Sequence, residues 1–211
     1  MLRVGLTGSI AVGKSFVAGV LRDLGCLVLD ADQTARDVVA LGKPGLRAVV
    51  EAFGRNVLEP SGALNRARLG AIVFGDENKR TQLNSILHPY IIAAQNRILD
   101  QWNIAYPDSI AVVDAALMIE SGSYKRFDRI VVVFCSPDVQ LERLMARNYL
   151  SLEDARRRIL AQMSQSEKIK YADYLIDTSD GFDSTRQRTE QVFHKLQLEL
   201  KAGVDSSHEP S

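Results

Sequence analysis

Eight residues near the start of the chain, Gly8-Ser9-Ile10-Ala11-Val12-Gly13-Lys14-Ser15, have the types and spacing of an anion cradle. Glycines let the backbone wrap an anion without Cβ clashes, so that successive N–H groups can point inward at phosphate oxygens. A helix beginning near Gly13 would add its positive N-terminus to the same anion. Lys14 would reach the β- and γ-phosphates of a nucleotide, and the Ser15 hydroxyl could ligate Mg²⁺. The pattern gains meaning from its flanks. Leu2–Thr7 is an apolar run, and Phe16, Val17, Val20, Leu21 and Leu24 recur at helical spacing behind it, with Gly25 as a stop.

A second candidate group is Asp30-Ala31-Asp32, which closes the apolar run Cys26–Asp30. In parallel sheets, ligands bind beyond the strand C-termini. Phosphoryl transfer to an alcohol benefits from a carboxylate that accepts the hydroxyl proton, and Asp32 is the candidate for that base. The competing reading is that Asp32 only caps the next helix. Asp114 ends another apolar run and is a candidate for a water-mediated Mg²⁺ contact, the competing reading being that it only caps a loop. Arg143 and Arg147, four residues apart, share one face of any helix that contains them.

These residues need a scaffold. Besides Leu2–Thr7 and Cys26–Asp30, continuous apolar runs occur at Ile110–Asp114, Arg129–Phe134 and Tyr174–Asp177. Separated by helical patterns, they predict an α/β fold: a parallel five-stranded sheet covered on both faces, in three layers. The stretch 31–106 holds helical patterns only, with breaks expected at Gly42–Gly45, Pro60–Gly62 and His88-Pro89. A second, arginine-rich helical stretch covers 137–171, and a last helix runs from about Asp183 to Lys201. Residues 203–211 are polar and aperiodic, and are expected to be a disordered tail.

Composition narrows the function. Lysine plus arginine equal aspartate plus glutamate at 26 each, so no basic excess points to nucleic acid. The two cysteines, Cys26 and Cys135, make no disulfide framework and no zinc spacing. No apolar run approaches a membrane span and the opening residues lack a signal-peptide layout, so a cytoplasmic chain acting apart from membranes is expected. A guanine-reading N-K-x-D motif is missing, since Asn78-Lys79-Arg80-Thr81 lacks the aspartate. A short P-loop chain with a helical insertion and an arginine-rich segment reads as a small-molecule kinase whose lid excludes water. A kinase for another metabolite or nucleotide, or a nucleotide-binding switch, are the alternatives.

The ordered set of short motifs resembles one family, the dephospho-CoA kinases. The pieces are Leu6-Thr7-Gly8 leading into Gly13-Lys14-Ser15, then Asp30-Ala31-Asp32 with Ala35-Arg36. Gly62-Ala63-Leu64-Asn65-Arg66, Val73-Phe74, Leu83-Asn84 and His88-Pro89 follow, and then Asp114 and Glu120. Gln140-Leu141 with Arg143 and Arg147, Arg158-Ile159 with Gln162, and Lys168 with Ala172-Asp173 before Ile176-Asp177 complete it. The resemblance spans about residues 2–195. It implies transfer of phosphoryl from MgATP to the ribose 3′-hydroxyl of dephospho-CoA, the last step of coenzyme A synthesis, by a monomer or small homo-oligomer. It also implies a nucleotide core (about 1–30, 107–136 and 172–202), a CoA-binding insertion (31–106) and a lid (137–171). By the same resemblance Asp32, Lys14 and Arg147 are catalytic. Gly8, Ala11, Val12, Gly13, Lys14, Ser15, Phe16, Arg143 and Arg147 hold the nucleotide, and Asp32, Arg36, Asn65, Arg66, His88 and Asp114 hold the acceptor.

The sequence departs from the family pattern where Ser9, Ala11, Val12 and Phe16 replace the usual Gly, Gly, Ser and Thr of the loop. Phe16 can offer only its N–H. Ala116-Leu117-Met118-Ile119-Glu120 replaces Pro-Leu-Leu-Phe-Glu, and Thr178 stands where asparagine is usual.

Overall fold

The computed structural model describes residues 1–205. The chain divides into two compact units, residues 1–29 with 102 onward, and residues 30–101.

The first unit is built on five strands: β1 (Leu2–Gly8), β2 (Leu27–Asp30), β3 (Ile110–Asp114), β4 (Arg129–Phe134) and β5 (Tyr174–Asp177). Their order is β2-β3-β1-β4-β5, with β1 parallel to β3 and β4, and β4 parallel to β5. β2 opens at Leu27, one residue later than the apolar run suggests, because Cys26 N–H still bonds to Leu21 O at the end of the preceding helix. That helix, α1 (Lys14–Asp23), stops where Gly25 takes φ +95°, the left-handed conformation that lets the chain turn back onto the last carbonyls.

Alternate side chains of the strands feed two apolar layers. On one face Val4, Leu6, Val131, Val133 and Ile176 pack with Val17 and Leu21 of α1. Val192, Phe193 and Leu196 of α9 (Gly181–Asp205) complete that layer. On the other face Ile130 and Val132 pack with Met118, Ile119, Met163 and Ile169. Gly5 sits beneath this second layer, where a Cβ would stand 2.4 Å from Met118 Sδ. The segment between β4 and β5 holds three helices and no strand, α6 (Pro137–Asn148), α7 (Leu152–Leu160) and α8 (Gln165–Ile169). α9 continues to Asp205, four residues past the last periodic position, so the expected tail loses 203–205 to helix and its remainder, 206–211, lies outside the described residues. No helix among the described residues is long and apolar enough to cross a membrane.

The second unit is helical: α2 (Ala31–Asp37), α3 (Pro44–Phe53), α4 (Arg66–Phe74) and α5 (Glu77–Ala105). Its one β pairing among the described residues is a single bridge, Leu58 to Leu64. Val38, Val39, Val49, Val57 and Leu69 form its centre. Breaks at Gly42–Gly45 and Pro60–Gly62 separate elements as expected, but the one expected at His88-Pro89 does not occur. α5 runs straight through Pro89. An interior proline forfeits one helical hydrogen bond and strains the turn before it. Here Leu83, Ile86 and Leu87 before it and Tyr90, Ile91 and Ala94 after it pack on the same apolar centre, so tertiary burial holds both halves in one helix.

Candidate active site

The cradle is carried by the central strand. β1 ends at Gly8, which lies so close to β4 that a Cβ there would stand 2.6 Å from Val133 O. Gly13 caps α1 with φ +84°. No acidic residue occupies the first turn of α1, in contrast to α2, α7 and α8, so its positive end is left for an external anion. Ala11 takes φ +62°, a left-handed conformation that the Cβ of an L-residue resists. Phe16, placed where the resemblance expects threonine, packs its ring against that of Phe182, the centroids 4.8 Å apart and the planes tilted by 54°.

Lys14 Nζ, at the base of the cradle, pairs with the Asp114 carboxylate at the end of β3. Ser15 follows it at the second position of α1. Arg143 lies one helical turn before Arg147 on α6, and the two differ sharply. Arg143 Nη1 donates to Thr178 Oγ1 at 2.8 Å and Nη2 to Thr178 O at 2.7 Å, which holds the guanidinium beside Gly13. Arg147 is exposed, and its Nε donates to the neighbouring Asn148 Oδ1 at 2.9 Å.

In the helical unit, Asp30 rather than Asp32 caps α2: its Oδ1 accepts from Asp32 N–H at 2.8 Å and Gln33 N–H at 3.0 Å. The capping alternative for Asp32 is therefore overturned. The Asp32 side chain stands exposed in the first turn of α2, and it makes no ion pair among the described residues. Asp32, Arg36 and Arg66 line one hollow of about 380 Å³ whose apolar wall includes Val39, Leu64, Leu69 and Leu87. Arg66 Nη2 donates to Arg36 O at 3.3 Å, which fixes the two arginines near one another. Asn65 spends its Oδ1 on the Arg68 N–H as the cap of α4. His88 is exposed on α5 and is not among the residues of the hollow, whose α5 contribution is Leu83 and Leu87. The structure thus groups the cradle, Asp114 and Arg143 in the first unit, and Asp32, Arg36 and Arg66 in the second.

Sequence reasoning assigned no role to several side chains that support the cradle. Gln140 Nε2 donates to Ile10 O at 2.8 Å, Gln162 Oε1 accepts from Ile10 N–H at 2.7 Å, and Thr178 Oγ1 donates to Val12 O at 2.8 Å. Lys168, fully buried, donates to Ala116 O at 2.7 Å and pairs with Glu120, pinning the segment that follows Asp114. For Gln140, Gln162, Lys168 and Glu120 the only sequence signal was membership of the ordered motif set, and for Thr178 it was the departure from the usual asparagine, since each partner lies tens to more than a hundred residues away.

The cysteines take no part. Burial pushes the Cys26 thiol up to about 12 and raises that of Cys135 as well, so both stay protonated and unreactive.

Comparison with known proteins agrees with this geometry. The family model for dephospho-CoA kinase matches residues 2–184. A dephospho-CoA kinase of Streptomyces avermitilis is 40% identical over 210 residues, covering 100% of this chain and 98% of that protein. One from Bacillus cereus is 43% identical over 195 residues, covering 92% of this chain and 97% of the relative. The solved structure of dephospho-CoA kinase from Campylobacter jejuni superposes with a TM-score of 0.70 at 29% identity, covering 93% of this chain and 98% of that one. With a P-loop on its central strand and relatives matching from end to end, the chain belongs to the dephospho-CoA kinase family.

Proposed function

We propose that this chain carries out the reaction for which its family is named, moving the γ-phosphoryl group of ATP to the ribose 3′-hydroxyl of dephospho-CoA and releasing ADP and coenzyme A. The observation that carries the reading is the strand–loop–helix cradle, with Gly13 in the left-handed conformation and Lys14 at its base, in a member of this family. Residues 31–106 are the acceptor-binding insertion in this reading, residues 137–171 the lid, and residues 1–30, 107–136 and 172–202 the nucleotide core.

Backbone N–H groups of Ala11, Val12, Gly13, Lys14, Ser15 and Phe16 hold the phosphates, with Gly8 giving the loop room to turn. The hollow of Asp32, Arg36 and Arg66 offers apolar wall and cations, which suits an acceptor that joins a pantetheine arm to phosphates. Asn65 and His88 are assigned to the outer parts of the acceptor. The Asp32 carboxylate takes the 3′-hydroxyl proton as that oxygen bonds to the γ-phosphorus. The bond from the γ-phosphorus to the β,γ-bridging oxygen breaks, and ADP leaves with the electron pair. Lys14, Arg143 and Arg147 neutralise the phosphate charge as it shifts.

No cluster of three or more metal-ligating side chains occurs among the described residues. Ser15 and Asp114 fit a cation that keeps most of its ligands as water and phosphate oxygen, so they are assigned to Mg²⁺, Asp114 through water. The ion supplies charge neutralisation on the polyphosphate when bound. The protein is proposed to act in the cytoplasm as a monomer or small homo-oligomer, with ATP and dephospho-CoA as partners and neither nucleic acid nor membrane involved.

Incubation with MgATP and dephospho-CoA is expected to release ADP and CoA, while nucleoside monophosphates and shikimate are not phosphorylated. ADP release no faster than with ATP alone refutes the reading. Asp32→Asn is expected to bind ATP as wild type and to lose about 10²- to 10⁴-fold in turnover, the span of general-base contributions. Turnover at the wild-type rate would remove Asp32 from the base role.

A further inference from the structure

An anion cradle makes a second demand besides inward N–H groups. Turning successive amides inward turns the intervening carbonyls outward, and a carbonyl that leaves water needs a donor. In this loop two outward carbonyls, Ile10 O and Val12 O, are each met by a nearly fully buried side chain, Gln140 (3% exposed) and Thr178 (2% exposed).

The hydrogen-bond directions are fixed by the inventory of each group. Thr178 has one hydroxyl proton. It goes to Val12 O, so the same oxygen accepts from Arg143 Nη1, while Arg143 Nη2 binds the Thr178 carbonyl. Gln140 presents its Nε2 to Ile10 O because its Oε1 is occupied by Gln165 Nε2 at 2.8 Å. Gln165 is held in turn by Cys135 N–H on its own Oε1 at 2.9 Å. From the other side Gln162 Oε1 takes the Ile10 N–H, and Ser9 Oγ donates to Met163 O at 3.2 Å. The two peptide groups that flank the Ile10 Cα are therefore gripped, one at the Ile10 N–H and the other at the Ile10 C=O, by side chains from the stretch 140–162, more than a hundred residues away.

We infer that Gln140 and Thr178 are positioning residues of the phosphoryl-donor site: they hold the Ile10 and Val12 carbonyls outward and so aim the amides between and beyond them at the nucleotide phosphates. Thr178 does more than Gln140, because one side chain sets both the loop and the plane of Arg143. Neither residue touches the reacting atoms. The inference rests on the reading of Gly8–Ser15 as the ATP cradle.

The test uses the full-length protein, with MgATP and dephospho-CoA binding each measured by titration calorimetry alongside the melting temperature. Thr178→Val keeps the shape and removes the hydroxyl, whereas Thr178→Ser keeps the hydroxyl. Thr178→Val is expected to weaken MgATP binding at least tenfold and to leave dephospho-CoA binding within twofold. Thr178→Ser is expected to stay within threefold of wild type for both ligands. Gln140→Met is expected to follow Thr178→Val in direction, and it decides by the same criterion if Thr178→Val does not fold. MgATP binding within threefold of wild type in the deciding variant overturns the inference, as does equal weakening toward both ligands. Wild-type protein that fails to bind MgATP at all would instead overturn the cradle reading.

Discussion

Removing the buried ammonium of Lys168 tests how the loop after Asp114 is held. Lys168 is fully buried, its ammonium bonds to Ala116 O, and it lies 2.8 Å from Glu120 Oε1. Lys168→Met keeps most of the side-chain volume and deletes the charge. Breaking a fully buried ion pair from one side costs roughly 3–5 kcal/mol, because the abandoned partner keeps its charge without compensation. The Glu120 side chain is 23% exposed, so water recovers part of that loss. Ala116 O keeps the Thr7 hydroxyl at 3.2 Å as a second donor. The expected cost is therefore nearer about 2–3 kcal/mol, below the fully buried range. For a protein of this length that corresponds to a melting point lower by about 4–12 °C. The assay is urea and thermal unfolding of Lys168→Met, Glu120→Gln and the double variant Lys168→Met with Glu120→Leu. The double variant should recover much of the stability, since an apolar pair of similar size removes the orphaned charge. A single variant within about 0.5 kcal/mol of wild type, the ordinary range for surface changes, would refute the claim that this pair anchors the segment.

Two further outcomes follow from the same physics. Ala11→Gly should stabilise the protein by roughly 0.5–1 kcal/mol, because relief of the left-handed strain exceeds the added unfolded-state entropy of glycine; chemical denaturation reads it directly. For Cys26, the native thiol is raised to about 12 from an ordinary 9.0, so between these values the unfolded chain loses its proton while the native one keeps it. Stability must therefore fall as pH rises above 9, with the contribution fully present below that value. By pH 11 wild type should lose about 2–3 kcal/mol relative to Cys26→Ala, measured as the difference between their urea-unfolding curves at pH 8 and pH 11.

What the sequence disclosed and what it hid divide along physical lines. Strands β1, β3 and β4 are buried on both faces and so read as unbroken apolar runs, which place them within a residue of where they lie. The cradle is equally local, seven consecutive peptides whose conformation depends on glycine at set positions. Pro89 misled because a local rule about helix interiors lost to packing by Leu87 and Tyr90 on either side of it. Asp30 and Asp32 could not be told apart as caps from residue type, since both precede helical residues and only backbone geometry selects the first. The support of the cradle was hidden for another reason. Thr178 meets Val12 across 166 positions and Gln140 meets Ile10 across 130, and no periodicity encodes such a pairing.

The place of β1 in the sheet carries one more consequence. It lies between β3 and β4, so every amide of its middle residues is bonded on both sides and none belongs to an edge. Edge strands and helix ends open by local fluctuations that cost little, whereas a central strand opens only when the whole unit does. The cradle is the direct continuation of that strand. Its shape is therefore tied to global rather than local unfolding, and fraying at the edge strand β2 can come and go while the seat of the phosphates stays formed.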